Sequence, residues 1–146
     1  MRLDTAGLEI LGRAECMKLL AGAPIGRVIF TEQALPAVQP VTFALVDGAV
    51  VIRTAADSRL ATATRDTVVG FEADDYRPDT ATGWSVTIVG RASVVTDPDQ
   101  RAGLALLPLR QWSTGRPDDY IRIEVERTSG RRTLAVPSRT DVLDRR

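Results

Sequence analysis

The chain has 146 residues, with 19 basic and 19 acidic side chains and no formal net charge. That length suits one domain with its own core, and the balanced charge argues against a nucleic-acid binder or a polybasic membrane binder. With no histidine anywhere, Ser-His-Asp and Cys-His machinery is excluded, as is His-ligated zinc or haem.

The first predicted element is a helix from about Arg13 to Gly22. Gly12 serves as its N-cap, and Glu15 favours the positive helix end. Cys16, Leu19 and Leu20 form one apolar face, and Gly22 and Pro24 stop it. Arg27–Thr31 is a β-rich run. Ala37–Val46 is predicted as one long strand, with Pro40 breaking its pairing at an edge or bulge. Asp47-Gly48 marks a hairpin turn, and Ala49–Thr54 is the returning strand.

Asp57-Ser58 caps a short helix, Arg59–Thr64. Thr67–Glu72 is a strand, and Asp74–Gly83 is expected to be a polar loop. Trp84–Thr96 is a long strand with a bend or bulge at Gly90. Asp97-Pro98 opens a third helix that ends near Leu107-Pro108. An irregular loop carrying Trp112 leads to the last strand, Tyr120–Val125. The chain from Arg127 onward, basic and then polar, is expected to fray. The fold class is therefore mainly β (α+β): six antiparallel strands closed into a barrel that removes exposed edges, with short flanking helices. One domain over 1–146 is expected, with a core of about 8–132 and a mobile tail at 133–146.

Cys16 is the only cysteine, which fits a reducing compartment. The N-terminus lacks the apolar core of a signal peptide, and no apolar run approaches the ~20 residues needed to span a bilayer. The expectation is a cytoplasmic protein. Lys18 is the only lysine, a bias associated with GC-rich bacterial genomes.

Ile52–Arg59 concentrates what a phosphate needs: guanidinium forks from Arg53 and Arg59, and hydroxyls from Thr54 and Ser58. Read equally well, the arginines are solvated and Ser58 is only a cap. Gln39–Phe43, with Pro40 freeing neighbouring backbone groups, could offer Val41 and Phe43 to a flat ring, but taken alone the segment reads first as an edge strand with core residues. Trp84, beside Ser85, and Trp112 are either ring-stacking residues or filling for the core or a subunit interface. Glu72, Asp74, Asp75 and Asp79 are read as a solvated acidic loop.

Gly26-Arg27-Val28, Pro36 to Phe43, Asp47-Gly48, Arg53-Thr54 through Ser58-Arg59-Leu60, Gly83 to Val86 and Val89 to Ala92 follow one another in that order. Together they resemble the pyridoxamine 5'-phosphate oxidase-like split-barrel flavoproteins, over roughly Leu8 to Arg132. The resemblance implies a six-stranded split barrel, a homodimer and FMN sites at its interface. It places Pro40, Val41 and Thr42 along the flavin ring and Arg53, Thr54, Ser58 and Arg59 on the phosphate. Trp84 and Ser85 flank the site, and Trp112 closes over the ring. Relatives often carry lysine after the serine; Arg59 keeps the charge and adds a fork. The C-terminal substrate-binding signature of true pyridoxamine phosphate oxidases is not identifiable, so vitamin B6 synthesis is not expected.

The leading functional reading is an FMN-dependent oxidoreductase passing electrons from NAD(P)H to a small acceptor, the cofactor carrying the chemistry. A second keeps the fold with 8-hydroxy-5-deazaflavin, whose acidic tail requires a basic groove from Arg27, Arg53 and Arg59. A third is a flavin carrier without turnover. A haem-binding split barrel ranks last for want of histidine.

Overall fold

A computed structural model describes residues 1–110 and 119–134. In chain order the elements are β1 (Glu9–Leu11), α1 (Arg13–Ala21), β2 (Gly26–Glu32), β3 (Leu35–Val41), β4 (Ala44–Val46), β5 (Ala49–Thr54), α2 (Arg59–Thr64), β6 (Thr67–Arg77), β7 (Thr82–Val94), α3 (Pro98–Leu104), β8 (Asp119–Ile123) and β9 (Arg127–Arg132). Gly12 is the N-cap of α1, and Cys16 and Leu20 are its fully buried side chains. Ser58 caps α2 by accepting from the Ala61 N–H at 3.0 Å, and Asp97 caps α3 by accepting from Gln100 N–H. Each capping oxygen satisfies a backbone donor that a helix start leaves without an internal partner.

The strands form one antiparallel sheet in the order β3-β2-β6-β7-β8-β5-β4, with β9 added to β7 and β1 to β9. Its two ends, β3 and β4, are consecutive in the chain and separated only by Thr42 and Phe43. The sheet therefore curls until a two-residue bend joins its edges, which closes the barrel. This corrects the expectation of one strand over Ala37–Val46. The break falls at Thr42-Phe43, while Pro40 pairs with Arg27 on the edge strand β3, where a missing N–H costs no ladder bond.

The barrel is split at Gly90. Up to Val89, β7 pairs with β9; from Ala92 it pairs with β8. The chain between β8 and β9 crosses at this fork, with Glu124 N–H donating to Arg91 O and Glu126 N–H to Val89 O. A Cβ on Gly90 would lie 1.6 Å from the Glu124 carbonyl oxygen, so the crossing requires glycine. The bend expected at Gly90 is thus a change of partner.

Among the described residues there are nine strands where six were expected. One addition is the division into β3 and β4, and the others are β1 and β9. Arg127–Arg132 does not fray as expected: as β9 it pairs on both sides, while the expected mobile tail lies, from residue 135 on, outside the described residues. Arg131 bonds Asp4, and Arg132 bonds Glu9 and Glu15, each near 3.0 Å. The expected loop Asp74–Gly83 is mostly hairpin, since β6 runs to Arg77 and β7 starts at Thr82.

Two hairpins use two-residue turns with positive φ at both positions, the twist that matches antiparallel strands. Asp47 and Gly48, at 50° and 77°, are suited to it. Gln33 and Ala34, at 50° and 64°, carry the left-handed cost of a Cβ.

The main core fills the barrel. Phe71, Ile52, Ile88, Ile123, Val28 and Leu20 are among its fully buried members, and Phe43 meets Phe71 edge-on at 4.8 Å. A smaller cluster of Val51, Val95, Leu104, Leu109 and Tyr120 lies on the opposite face of β5 and β8 under α3. Among the described residues, no helix is long and apolar enough to cross a membrane.

Candidate functional site

Strand β5 delivers Arg53 and Thr54 at its end, and side chains alternate faces along a strand. Val51 and Arg53 take the α3 face, where Arg53 sits 5.6 Å over the Tyr120 ring. Thr54 takes the face of α2, where its hydroxyl pairs with the Ser58 hydroxyl at 2.9 Å. The four residues assigned to a phosphate thus fall into two lobes, with Thr54, Ser58 and Arg59 in one and Arg53 in the other.

Arg53 is incompletely satisfied. Among the described residues its hydrogen bond is a long donation from NH1 to Leu109 O at 3.5 Å, and its buried Nε has no partner. A buried cationic donor left without an acceptor is costly, so this guanidinium is suited to an anionic or carbonyl-bearing ligand. Thr42 joins the same lobe, because its hydroxyl donates to Arg110 O, next to the carbonyl that Arg53 reaches. Val41 is buried in the barrel core and Pro40 is half-buried on the edge strand. The structure therefore brings Thr42, at the junction of the sheet ends, to the same segment as Arg53.

Arg59 is exposed and gripped by Glu32, with Nε 3.0 Å from both carboxylate oxygens and NH2 2.6 Å from Oε1. This pairing raises the guanidinium pKa further. Glu32 escaped sequence reading because it lies 27 residues upstream, at the end of β2. A groove of about 340 Å³ runs beside the pair, lined by Thr31, Glu32, Gln33, Asp57, Arg59, Thr62 and Ala63.

Trp84 and Ser85 lie elsewhere. Both border a cavity of about 190 Å³ with Leu8, Asp74 and Arg131. Trp84 also walls one of about 620 Å³ between α1, β2 and β6. Trp112 lies outside the described residues. Arg27, expected to widen a basic groove, instead meets Glu72 at 3.1 Å and Asp74 at 3.4 Å. Glu72 is nonetheless pushed up to about 7. Burial outweighs the guanidinium, and the neighbouring Asp74 carboxylate acts in the same direction as burial. Among the described residues, no acidic or thiol cluster has the makings of a metal site. Cys16 is buried, and that burial raises its thiol pKa, as for an inert packing residue.

A family model described as pyridoxamine 5'-phosphate oxidase matches residues 12–132. An uncharacterized protein of Mycobacterium tuberculosis, Rv0080, is 43% identical over 130 residues, covering 86% of this chain and 85% of that one. Among solved structures, an FAD-binding protein from Mycobacterium smegmatis superposes with a TM-score of 0.73 and 30% identity, covering 85% of this chain and 96% of its own. A Corynebacterium glutamicum protein, proposed to be a pyridoxamine 5'-phosphate oxidase, gives 0.77 at 29% identity, covering 90% and 96%. These likenesses agree with the split barrel built above, and the chain belongs to the pyridoxamine 5'-phosphate oxidase family.

Proposed function

We propose that this chain binds a flavin through its 5'-phosphate, with FMN the simplest such ligand, and works as an oxidoreductase between NAD(P)H and a small acceptor. The observation that carries the reading is Arg53, a half-buried guanidinium whose buried Nε has no partner among the described residues, one residue from the Thr54–Ser58 hydroxyl pair. The M. smegmatis neighbour, an FAD-binding protein, supports the flavin class.

In this reading Thr54, Ser58 and Arg59 hold the phosphate. The backbone of Pro40, Val41 and Thr42 borders the ring, and Arg53, in the same lobe as Thr42, places a fixed positive charge on the ring side. Bound flavin supplies hydride and electron transfer, which relieves the protein of acid–base machinery. The chain's own contribution is to bind, to orient and, through Arg53, to favour negative charge near the ring.

A homodimer completes this site. Trp84 and Ser85, assigned to the same cofactor, line cavities apart from Arg59, and a second copy is the means of bringing them to it. The outer face supports such a partner. Val38, Ile29, Gly70 and Val89 stand in one cross-strand row over β3, β2, β6 and β7. Its aliphatic members are exposed at 60%, 38% and 37% for Val38, Ile29 and Val89, an apolar stripe of the kind that marks interfaces.

Fluorescence titration of the flavin-free protein with FMN and with riboflavin tests the phosphate assignment. Arg59→Ala is expected to weaken FMN at least tenfold with little change for riboflavin. An equal loss for both ligands removes Arg59 from the phosphate site.

A further inference from the structure

The cavity of about 620 Å³ between α1, β2 and β6 has the size of a small-molecule site. Its apolar lining includes Leu19, Ala23 and Ile25, together with the half-buried Trp84 ring. The rest of the lining is mainly charged, and most of that charge is neutralised within the protein. Glu15 meets Arg132 at 3.0 Å, and Arg27 lies 3.1 Å from Glu72 and 3.4 Å from Asp74.

Two charges are left over. Lys18 on α1 and Asp75 on β6 both line the cavity, and neither has an ion-pair or hydrogen-bond partner among the described residues. They have opposite signs, yet they do not pair with each other. A simple anion would suit Lys18 and be repelled by Asp75, and a simple cation would meet the reverse. A ligand carrying both a carboxylate and an ammonium group satisfies both side chains. An aromatic body on that ligand matches the apolar lining and the Trp84 ring. Trp84 also borders the cavity of about 190 Å³. Ser85, its companion in the flavin reading, lines that smaller cavity and not the larger one, which is left for a second ligand.

From these observations we infer that the cavity binds a small aromatic zwitterion of the size of an aromatic amino acid. Lys18 donates to its carboxylate, Asp75 accepts from its ammonium group, and Trp84 packs against its ring. The pairs that Arg27 and Glu15 make inside the protein keep those side chains from competing for the ligand's charged ends. The inference goes beyond the flavin reading and does not rest on it, because it uses only the lining of a cavity that Ser58, Arg59 and Arg53 do not reach.

The test is an NMR titration of the full-length, nitrogen-labelled protein that follows the indole N–H of Trp84. The chain has two tryptophans, so Trp84→Phe identifies the resonance. The probes are L-phenylalanine, phenethylamine, which lacks the carboxylate, and hydrocinnamate, which lacks the ammonium group. L-Phenylalanine is expected to shift the resonance saturably, and each truncated probe to bind about fivefold more weakly, the scale of one exposed ion pair. Lys18→Met and Asp75→Asn are exposed substitutions outside the core, and they assign the two ends. Lys18→Met should bring L-phenylalanine down to the level of phenethylamine while phenethylamine binds no more weakly than before. Asp75→Asn should bring L-phenylalanine down to the level of hydrocinnamate while hydrocinnamate binds no more weakly. Absence of a saturable shift with L-phenylalanine overturns the inference. So does equal binding of the three probes, or a variant that weakens all three alike. The titration needs no flavin, so its outcome is independent of FMN binding.

Discussion

Replacing Glu72 with glutamine should stabilise the protein at neutral and alkaline pH and leave it unchanged in acid. Glu72 is only 22% exposed, and its carboxyl is raised from 4.5 to about 7. Burial is the largest cause, and Asp74 adds to it against the opposing pull of Arg27. A raised carboxyl means that the folded state holds its proton more tightly than the unfolded chain does. Below about pH 4.5 both states are protonated and this group contributes no pH dependence. Between about 4.5 and 7 the unfolded chain releases the proton first, and stability falls as pH rises. Above 7 the penalty is complete. A shift of this size corresponds to about 3 kcal/mol at about 1.4 kcal/mol per unit, and solvent around half-exposed Arg27 and Asp74 reduces it to about 1–3 kcal/mol. Glutamine mimics the protonated form and does not titrate. Urea unfolding of both proteins from pH 4 to pH 8 should give coincident stabilities at the acid end and a gap opening in favour of Glu72→Gln toward pH 8. Using the difference cancels the contributions of Asp4 and Glu9, whose carboxyls are lowered by their arginine and backbone partners. A gap that does not vary with pH, or one that favours the native protein at pH 8, would refute the reasoning.

Three further outcomes follow from the fold. Gly90→Ala places a Cβ 1.6 Å from the Glu124 carbonyl, so thermal unfolding should show a loss of more than about 3 kcal/mol or no folded protein; near-native stability would mean that β8 and β9 do not cross there. Ala34→Gly relieves a left-handed alanine at φ 64° and should raise the unfolding free energy measured in urea by about 1 kcal/mol, whereas a loss would place the turn in another conformation. Ile29→Glu puts a charge in the Val38–Ile29–Val89 row; light scattering should show a dimer for the native protein and a monomer for the variant, and an unaffected dimer would place the interface on another face.

The locally encoded parts of the fold were legible. Ser58 was readable as a cap because a capping side chain acts on donors within three residues, and Asp97-Pro98 was readable as a helix start. Asp47-Gly48 was readable as a turn because its residue types suit positive φ at both positions. What escaped depends on distant partners. Arg127–Arg132 has no apolar alternation and reads as a tail, yet its arginines meet Asp4, Glu9 and Glu15 more than a hundred residues away. The stretch over Ala37–Val46 reads as one strand because nothing local says that its halves belong to opposite ends of the sheet. At the candidate site, Arg53, Thr54, Ser58 and Arg59 stood out by proximity in sequence. Strand alternation then divides them, and Glu32 enters from another element.

The most direct test of the central claim is the absorption spectrum of the purified protein, with mass spectrometry of any small molecule released on denaturation. The account predicts the two-band spectrum of an oxidised flavin and release of a flavin 5'-phosphate. A colourless protein that also fails to take up added FMN and FAD would contradict it.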